Sequence, residues 1–171
     1  MRFATLAVMA ILAILGTPAA AQDVTYDFDK SADFSSLRTY QWVPGTNLVD
    51  EFNHRRIVEA VDAQLQSKGL RPAGAGEQPD VLVAYYAGVR NEVEINGTAG
   101  YRVGGPRPVS ARVEEVPVGT LIVNIFNAKT RGVLWRGVAT KEIDVKANPE
   151  KREKNITKTT AKLFRHYPPS T

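Results

Sequence analysis

The sequence predicts an α+β fold: a predominantly antiparallel, twisted sheet of about five or six strands, with two helices packed on one face. Three observations carry this. Residues 119–140 (GTLIVNIFNAKTRGVLWRGVAT) read as two apolar strands around a polar turn. Residues 81–89 (VLVAYYAGV) form a second apolar run, long enough for a central strand covered by a helix. Two further segments repeat their apolar residues at helical spacing, so each has one face to bury. A hairpin alone is marginal in water, so the 119–140 pair must sit inside a larger sheet or under a helix.

In chain order, Val24, Tyr26 and Phe28 alternate with Asp23, Thr25 and Asp27, the pattern of a half-buried strand. Residues 29–36 are polar and turn-forming. Residues 39–43 (TYQWV) make a second strand, stopped by Pro44-Gly45. A helix follows, capped by Asn47 or Asp50. Ile57, Val58, Val61 and Leu65 face inward, and Arg55, Arg56, Glu59, Asp62 and Gln66 face outward. Gly69 ends it as the left-handed residue. After the 81–89 strand, Glu92 and Glu94 alternate with Val93 and Ile95, so the strand is expected to run past the core into solvent. Residues 96–108, with four Gly and two Pro, read as a loop or protruding ribbon, and residues 110–117 return towards the hairpin. In the hairpin turn, Asn127 supplies local side-chain bonding and Gly132 the positive φ. Asn148-Pro149 opens the last helix, whose stripe is Ile156, Thr160, Leu163, Phe164 and Tyr167. Its lysines and arginines form a solvated outer face.

The N-terminus predicts export. Arg2, the apolar run 4–15 and the small residues before Gln22 have the form of a signal peptide, with cleavage expected after Ala21. The run is too short for a membrane span, which needs ~20 apolar residues. Residues 22–171 are then one α+β domain, large enough for a core without staples. That matters because the chain has no cysteine and so no disulfide. Twenty-two Lys and Arg against 18 Asp and Glu give +4, or +3 without Arg2, too small and too dispersed a surplus for nucleic-acid binding.

Chemistry is scarce in the residues. His54 and His166 are distant and, without cysteine, leave only a mixed His/carboxylate zinc site conceivable; they read instead as surface or helix-end histidines. No Gly-x-Ser-x-Gly elbow is present, and no serine adjoins a histidine. Asp27, Asp29 and Asp33 are clustered, but lack the ligand density of a calcium loop and suit turn formation equally well. Gly104-Gly105 lacks the flanking strand, helix and Lys-Ser/Thr end of a phosphate loop. No catalytic residue, metal or cofactor is therefore expected. Tyr101, Arg102 and Arg107 are the residue types favoured at interfaces, and mark the expected interaction surface.

Five blocks together carry a resemblance: YDFD (26–29), ADFSSLRTYQWVP (32–44), PDVLVAYYAGV (79–89), GTLIVNIFNAKTRGVLWRGVA (119–139) and PEKREKNITKTTAKLFRHYPP (149–169). In order and spacing the chain resembles the bacterial envelope family known as domain of unknown function 4136, many of whose members look like lipoproteins. The missing cysteine departs from that form and implies a soluble periplasmic protein. The family offers no activity to carry over. The expectation is a non-catalytic binding or assembly module with an envelope protein partner, of unknown oligomeric state. The alternative is a small-ligand carrier or hydrolase with a pocket between sheet and loops, using the acids at 27–33.

Overall fold

The computed structural model describes residues 23–45, 50–98, 101–102, 105–106 and 110–169. The predicted signal peptide lies outside the described residues. Among the described residues, eight strands and two α-helices follow one another: β1 (Asp23–Phe28), β2 (Thr39–Trp42), α1 (Glu51–Ser67), β3 (Arg71–Pro72), β4 (Val81–Thr98), β5 (Tyr101–Arg102), β6 (Gly105–Pro106), β7 (Ser110–Asn127), β8 (Val133–Glu142) and α2 (Pro149–Leu163). Six strands form one sheet in the order β1-β8-β7-β4-β2-β3, and β5-β6 form a separate two-stranded unit.

The α+β class, the strand number and the helix pair agree with the sequence reading. The sheet, however, is mixed. β1-β8, β8-β7 and β7-β4 are antiparallel, but β2 runs parallel to both β4 and β3. The cause is connectivity: α1 carries the chain back across the sheet between β2 and β4, and a crossover of that length allows a parallel pair.

Alternation divides the sheet into two faces. Val81, Val83 and Tyr85 of β4, Leu121, Val123 and Ile125 of β7, and Trp135 and Ala139 of β8 join one buried cluster. Ile57, Val61 and Leu65 of α1 and Leu163, Phe164 and Tyr167 at the end of α2 complete it, so both helices lie on that face. Register places Val83, Ile125 and Trp135 side by side, with Tyr85, Val123 and Gly137 in the next row. Burial of side chains this large stabilises by roughly 1.5–3 kcal/mol each. On the other face Arg136 donates from Nε to the buried Asn124 Oδ1 at 3.0 Å, and Tyr86 is exposed.

The helix ends obey their sequence signals. Asp50 caps α1, accepting from Asn53 N at 3.1 Å, and Gly69 beyond its C-terminus has φ +88°. Asn148 caps α2, accepting from Lys151 N at 2.9 Å, with Pro149 in the first turn. Three local expectations are corrected. Arg131, not Gly132, takes the positive φ (62°) of the hairpin turn. There Asn127 Oδ1 accepts from the N–H groups of Lys129 and Thr130, and Arg131 N closes the turn on Asn127 O, which puts the left-handed residue one position earlier. Asp62 turns inward to meet Tyr40 and Trp42. Tyr26 is 43% exposed rather than buried, and stacks on His166 with centroids 4.5 Å apart.

Among the described residues, two buried polar atoms, Trp135 Nε1 and Tyr167 Oη, have no hydrogen-bond partner. Burial pushes the Tyr167 hydroxyl up to about 12. Because the neutral form is favoured in the fold, its contribution is intact below about pH 10 and is lost as pH rises through about 12. Tyr167→Phe should therefore leave neutral-pH stability unchanged or raise it by up to about 1 kcal/mol, since an unpaired hydroxyl leaves the core. It should also remove about 2–3 kcal/mol of alkaline destabilisation between pH 10 and 12. Urea unfolding of both proteins across pH 7–12 tests this. A neutral-pH loss above about 1 kcal/mol would show that the hydroxyl is partnered after all.

Candidate functional site

Strands β4 and β7 outrun the sheet. They stay paired from Val81↔Asn127 to Thr98↔Ser110, whereas β8 ends with Glu142 opposite Val118. The eight pairs from Asn91↔Pro117 outward thus form a two-stranded ribbon, roughly 26 Å long at ~3.3 Å per residue. Free strand edges invite pairing with other chains, and charge blunts them. Arg90 forms a salt bridge with Glu92, and Asn91 Nδ2 donates to Glu115 Oε2 at 3.4 Å. Val89, Val93 and Val113 nevertheless stand 62–65% exposed. With Ile143 and Val145 beside the ribbon base, they supply five of the nine exposed large hydrophobic side chains among the described residues. That concentration distinguishes this end of the molecule from its other surfaces.

At the ribbon base the two helices and the sheet leave a cleft of about 430 Å³. Its floor is the row Ala87↔Leu121↔Ala139, the point where the helix-facing side chains become small. Ile57 of α1 and Ile156 of α2 form the walls, and the segment after β8 closes one side. That segment is anchored by Ile143 N donating to Pro117 O at 2.8 Å. A Cβ on Gly119 would lie 2.5 Å from Ile143 Cδ1, so glycine there is what lets the segment fold over β7. Lys141 and Arg152 line the cleft as cations.

A polar network lies across the α1–sheet junction. Asp62 Oδ1 accepts from Tyr40 Oη at 2.7 Å and from Trp42 Nε1 at 2.8 Å, and His54 Nδ1 shares a short hydrogen bond with Tyr85 Oη. Burial, then the Asp62 contact, holds the Tyr40 hydroxyl well above the usual phenol range, and burial raises Tyr85. Both phenols are thereby kept neutral, so the network fixes α1 on β2 and β4. Sequence periodicity put Asp62 on the solvent side of α1 and missed the network. The signal that could have shown it is the pair of aromatics with polar tips, Tyr40 and Trp42, in the adjoining strand.

The sequence-predicted acids do not converge. Asp29 accepts from Ser31 Oγ and N, Asp33 from Ser35 Oγ and N, and Asp27 from Phe28 N. The serine hydroxyls first, then the backbone N–H groups, hold Asp29 and Asp33 below the usual carboxylate range. These carboxylates shape turns rather than facing one another across a pocket. Among the described residues no group of three or more His, Asp or Glu side chains could hold a metal, and no helix is long and apolar enough to cross a membrane. Tyr101 and Arg102 fall in β5, which pairs with β6 beyond the ribbon. Their side chains, and Arg107 entirely, lie outside the described residues. The cleft residues were not singled out by sequence. Their trace was the small residues Ala87-Gly88 and Ala139 inside otherwise β-branched strands.

Fold and site thus define a two-layer α+β module whose central strands continue into a projecting ribbon. The chain belongs to the family described as domain of unknown function DUF4136, whose model matches residues 24–169. No curated protein matches it. Among solved structures it is similar to a PDZ domain protein from Parabacteroides distasonis, with a TM-score of 0.57 and 16% identity. That match covers 88% of this chain but 37% of the other, so the chain spans little more than a third of that protein. A DUF4136 family protein from Bacteroides thetaiotaomicron aligns with a TM-score of 0.53 at 12% identity, covering 86% and 96% of the two chains. The PelC dodecamer from Paraburkholderia phytofirmans aligns with a TM-score of 0.51 at 12% identity, covering 84% and 95%. At these identities the likeness is one of fold.

Proposed function

We propose that this protein is an exported, periplasmic assembly module of the cell envelope, non-catalytic, which holds an envelope protein partner through its ribbon. The observation that carries the reading is the pair of bare valines, Val93 and Val113, on an otherwise charge-protected two-stranded extension, with Val89 exposed at its base. Apolar side chains held that far from the core gain nothing for the fold, and gain burial only against another surface. The signal-peptide pattern before Gln22 supports export. That PelC, of similar fold, is a dodecamer supports assembly as a use of this architecture.

Photo-crosslinking from position 93 in the native envelope, read by mass spectrometry, tests the proposal. One dominant adduct is expected, reduced tenfold or more by Val113→Asp, with the thermal melt of the purified variant unchanged. Absence of any adduct above background overturns the reading. N-terminal sequencing of the mature protein should begin at Gln22, and a retained N-terminus would overturn export by cleavage.

A further inference from the structure

We propose that the cleft at the ribbon base is a binding site for a small anionic amphiphile, a medium-chain carboxylate. This site adjoins the foot of the partner-binding ribbon, where Val89 lines it, and does not depend on that reading. Its volume, about 430 Å³, falls within the ~300–1,000 Å³ of small-molecule sites. Its floor and walls are apolar, with Leu121 and Ala139 8% and 2% exposed and Ile57 and Ile156 above them. An apolar floor at the foot of two helices, with the small side chains of Ala87 and Ala139 in its lining, suits an acyl chain.

The charges select the head group. Lys141 is half-buried at the cleft, and its ammonium makes one long contact, 3.4 Å to Asn155 Oδ1. The nearby Lys151 is by contrast paired with Asp144 at 2.6 Å, which also accepts from Lys146 N. Lys151 holds the Asp144 carboxyl below its usual range, so this acid stays occupied. Glu142 also borders the cleft, but it is exposed, and strand alternation turns it to the opposite sheet face from Lys141. Arg152 is fixed by donating from Nε to Ala147 O at 2.9 Å and from Nη2 to Val145 O at 3.3 Å, and among the described residues no carboxylate pairs with it. A half-buried ammonium without an anion beside a positioned guanidinium attracts a carboxylate and repels a cationic head. The ligand's carboxylate lies between Lys141 and Arg152, and its chain runs over Ala139 and Leu121 towards Ile57.

The test uses the chain from Gln22 to Thr171 and sodium dodecanoate kept below its micelle concentration. Isothermal titration should show saturable one-to-one binding, at least tenfold tighter than that of dodecyltrimethylammonium. Lys141→Met should weaken it tenfold or more, and Ala139→Leu, which fills the floor, should abolish it, both with unchanged circular dichroism. Should Ala139→Leu fail to fold, amide shift changes on titration replace it, and must centre on Ala87, Leu121 and Ala139. Absence of saturable binding overturns the proposal, as does wild-type affinity in Lys141→Met. So does binding to phosphatidylglycerol vesicles without binding to monomeric dodecanoate, which would make the surface a membrane contact.

Discussion

Gly137→Ala is expected to destabilise the domain by about 3 kcal/mol, at the upper end of ordinary overpacking costs. Gly137 sits in β8 between Trp135 and Ala139 on the helix-covered face, and the Trp135 indole folds back over it. A Cβ there would stand 2.4 Å from Trp135 Cη2, 2.7 Å from Leu163 Cδ1 and 2.9 Å from Leu163 Cγ. Neither neighbour can retreat, because Trp135 and Leu163 are fully buried and the indole is wedged against Phe164 and Tyr167 at 5.3 and 5.4 Å. Trp135→Ala should cost about 3–5 kcal/mol by loss of the largest buried side chain. The informative variant is the double one. If the indole is what forbids a Cβ, the two costs are strongly non-additive, and Gly137→Ala made in the Trp135→Ala background should cost less than about 1 kcal/mol. Urea denaturation of the four proteins measures the coupling. Simple additivity would show that glycine is needed for Leu163 or for the strand's own backbone, and not for the indole.

This glycine also shows where sequence reading stops. The strand around it was legible, because Val133, Trp135 and Val138 carry β-propensity and period-2 alternation is a local property. Helix ends were legible for the same reason: Asp50, Asn148-Pro149 and Gly69 act on groups within four residues of themselves. The ribbon could be read from Glu92 and Glu94 alternating with Val93 and Ile95, a pattern that no buried strand would carry. Three things depended on contacts distant in sequence and so were not visible. The direction of β2 is decided by the α1 crossover, and a four-residue strand looks the same parallel or antiparallel. The inward turn of Asp62 is decided by Tyr40 and Trp42, some twenty residues earlier. The cleft exists because alanines on β4 and β8 fall into one row, and that row depends on a register through β7. The acids at 27–33 are the opposite case: they looked like chemistry because they were clustered, yet each is satisfied by a serine or backbone N–H within two residues.

Asp80→Ala should give the second large loss, about 2–3 kcal/mol, from a residue that is itself exposed. Its Oδ2 accepts from Arg38 N at 2.9 Å, Thr39 N at 2.9 Å and Thr39 Oγ1 at 3.1 Å, while its own N–H donates back to Thr39 O and Oγ1. One carboxylate oxygen therefore ties the start of β2 to the start of β4, where the parallel pair Tyr40↔Val81 begins. Hydrogen bonds to a charged group contribute ~1.5–3 kcal/mol, and the solvent exposure of this one sets the total near a single such bond rather than three. Asp80→Asn keeps an acceptor oxygen but no charge, and should cost about half as much. The backbone N–H groups of Arg38 and Thr39 hold the Asp80 carboxyl below its usual 3.8. A carboxylate with a lowered folded pKa contributes fully above its unfolded value, and that contribution fades as pH falls through the folded one. The stability gap between wild type and Asp80→Asn should therefore be constant from pH 7 to about 5, and narrow below about pH 4. A gap that stays constant to pH 2 would mean the charge is irrelevant, and that β2 is held to β4 by its ladder alone. A gap that closes would identify this aspartate, in the Pro-Asp-Val that opens the central strand, as the residue that fixes the parallel edge beneath α1.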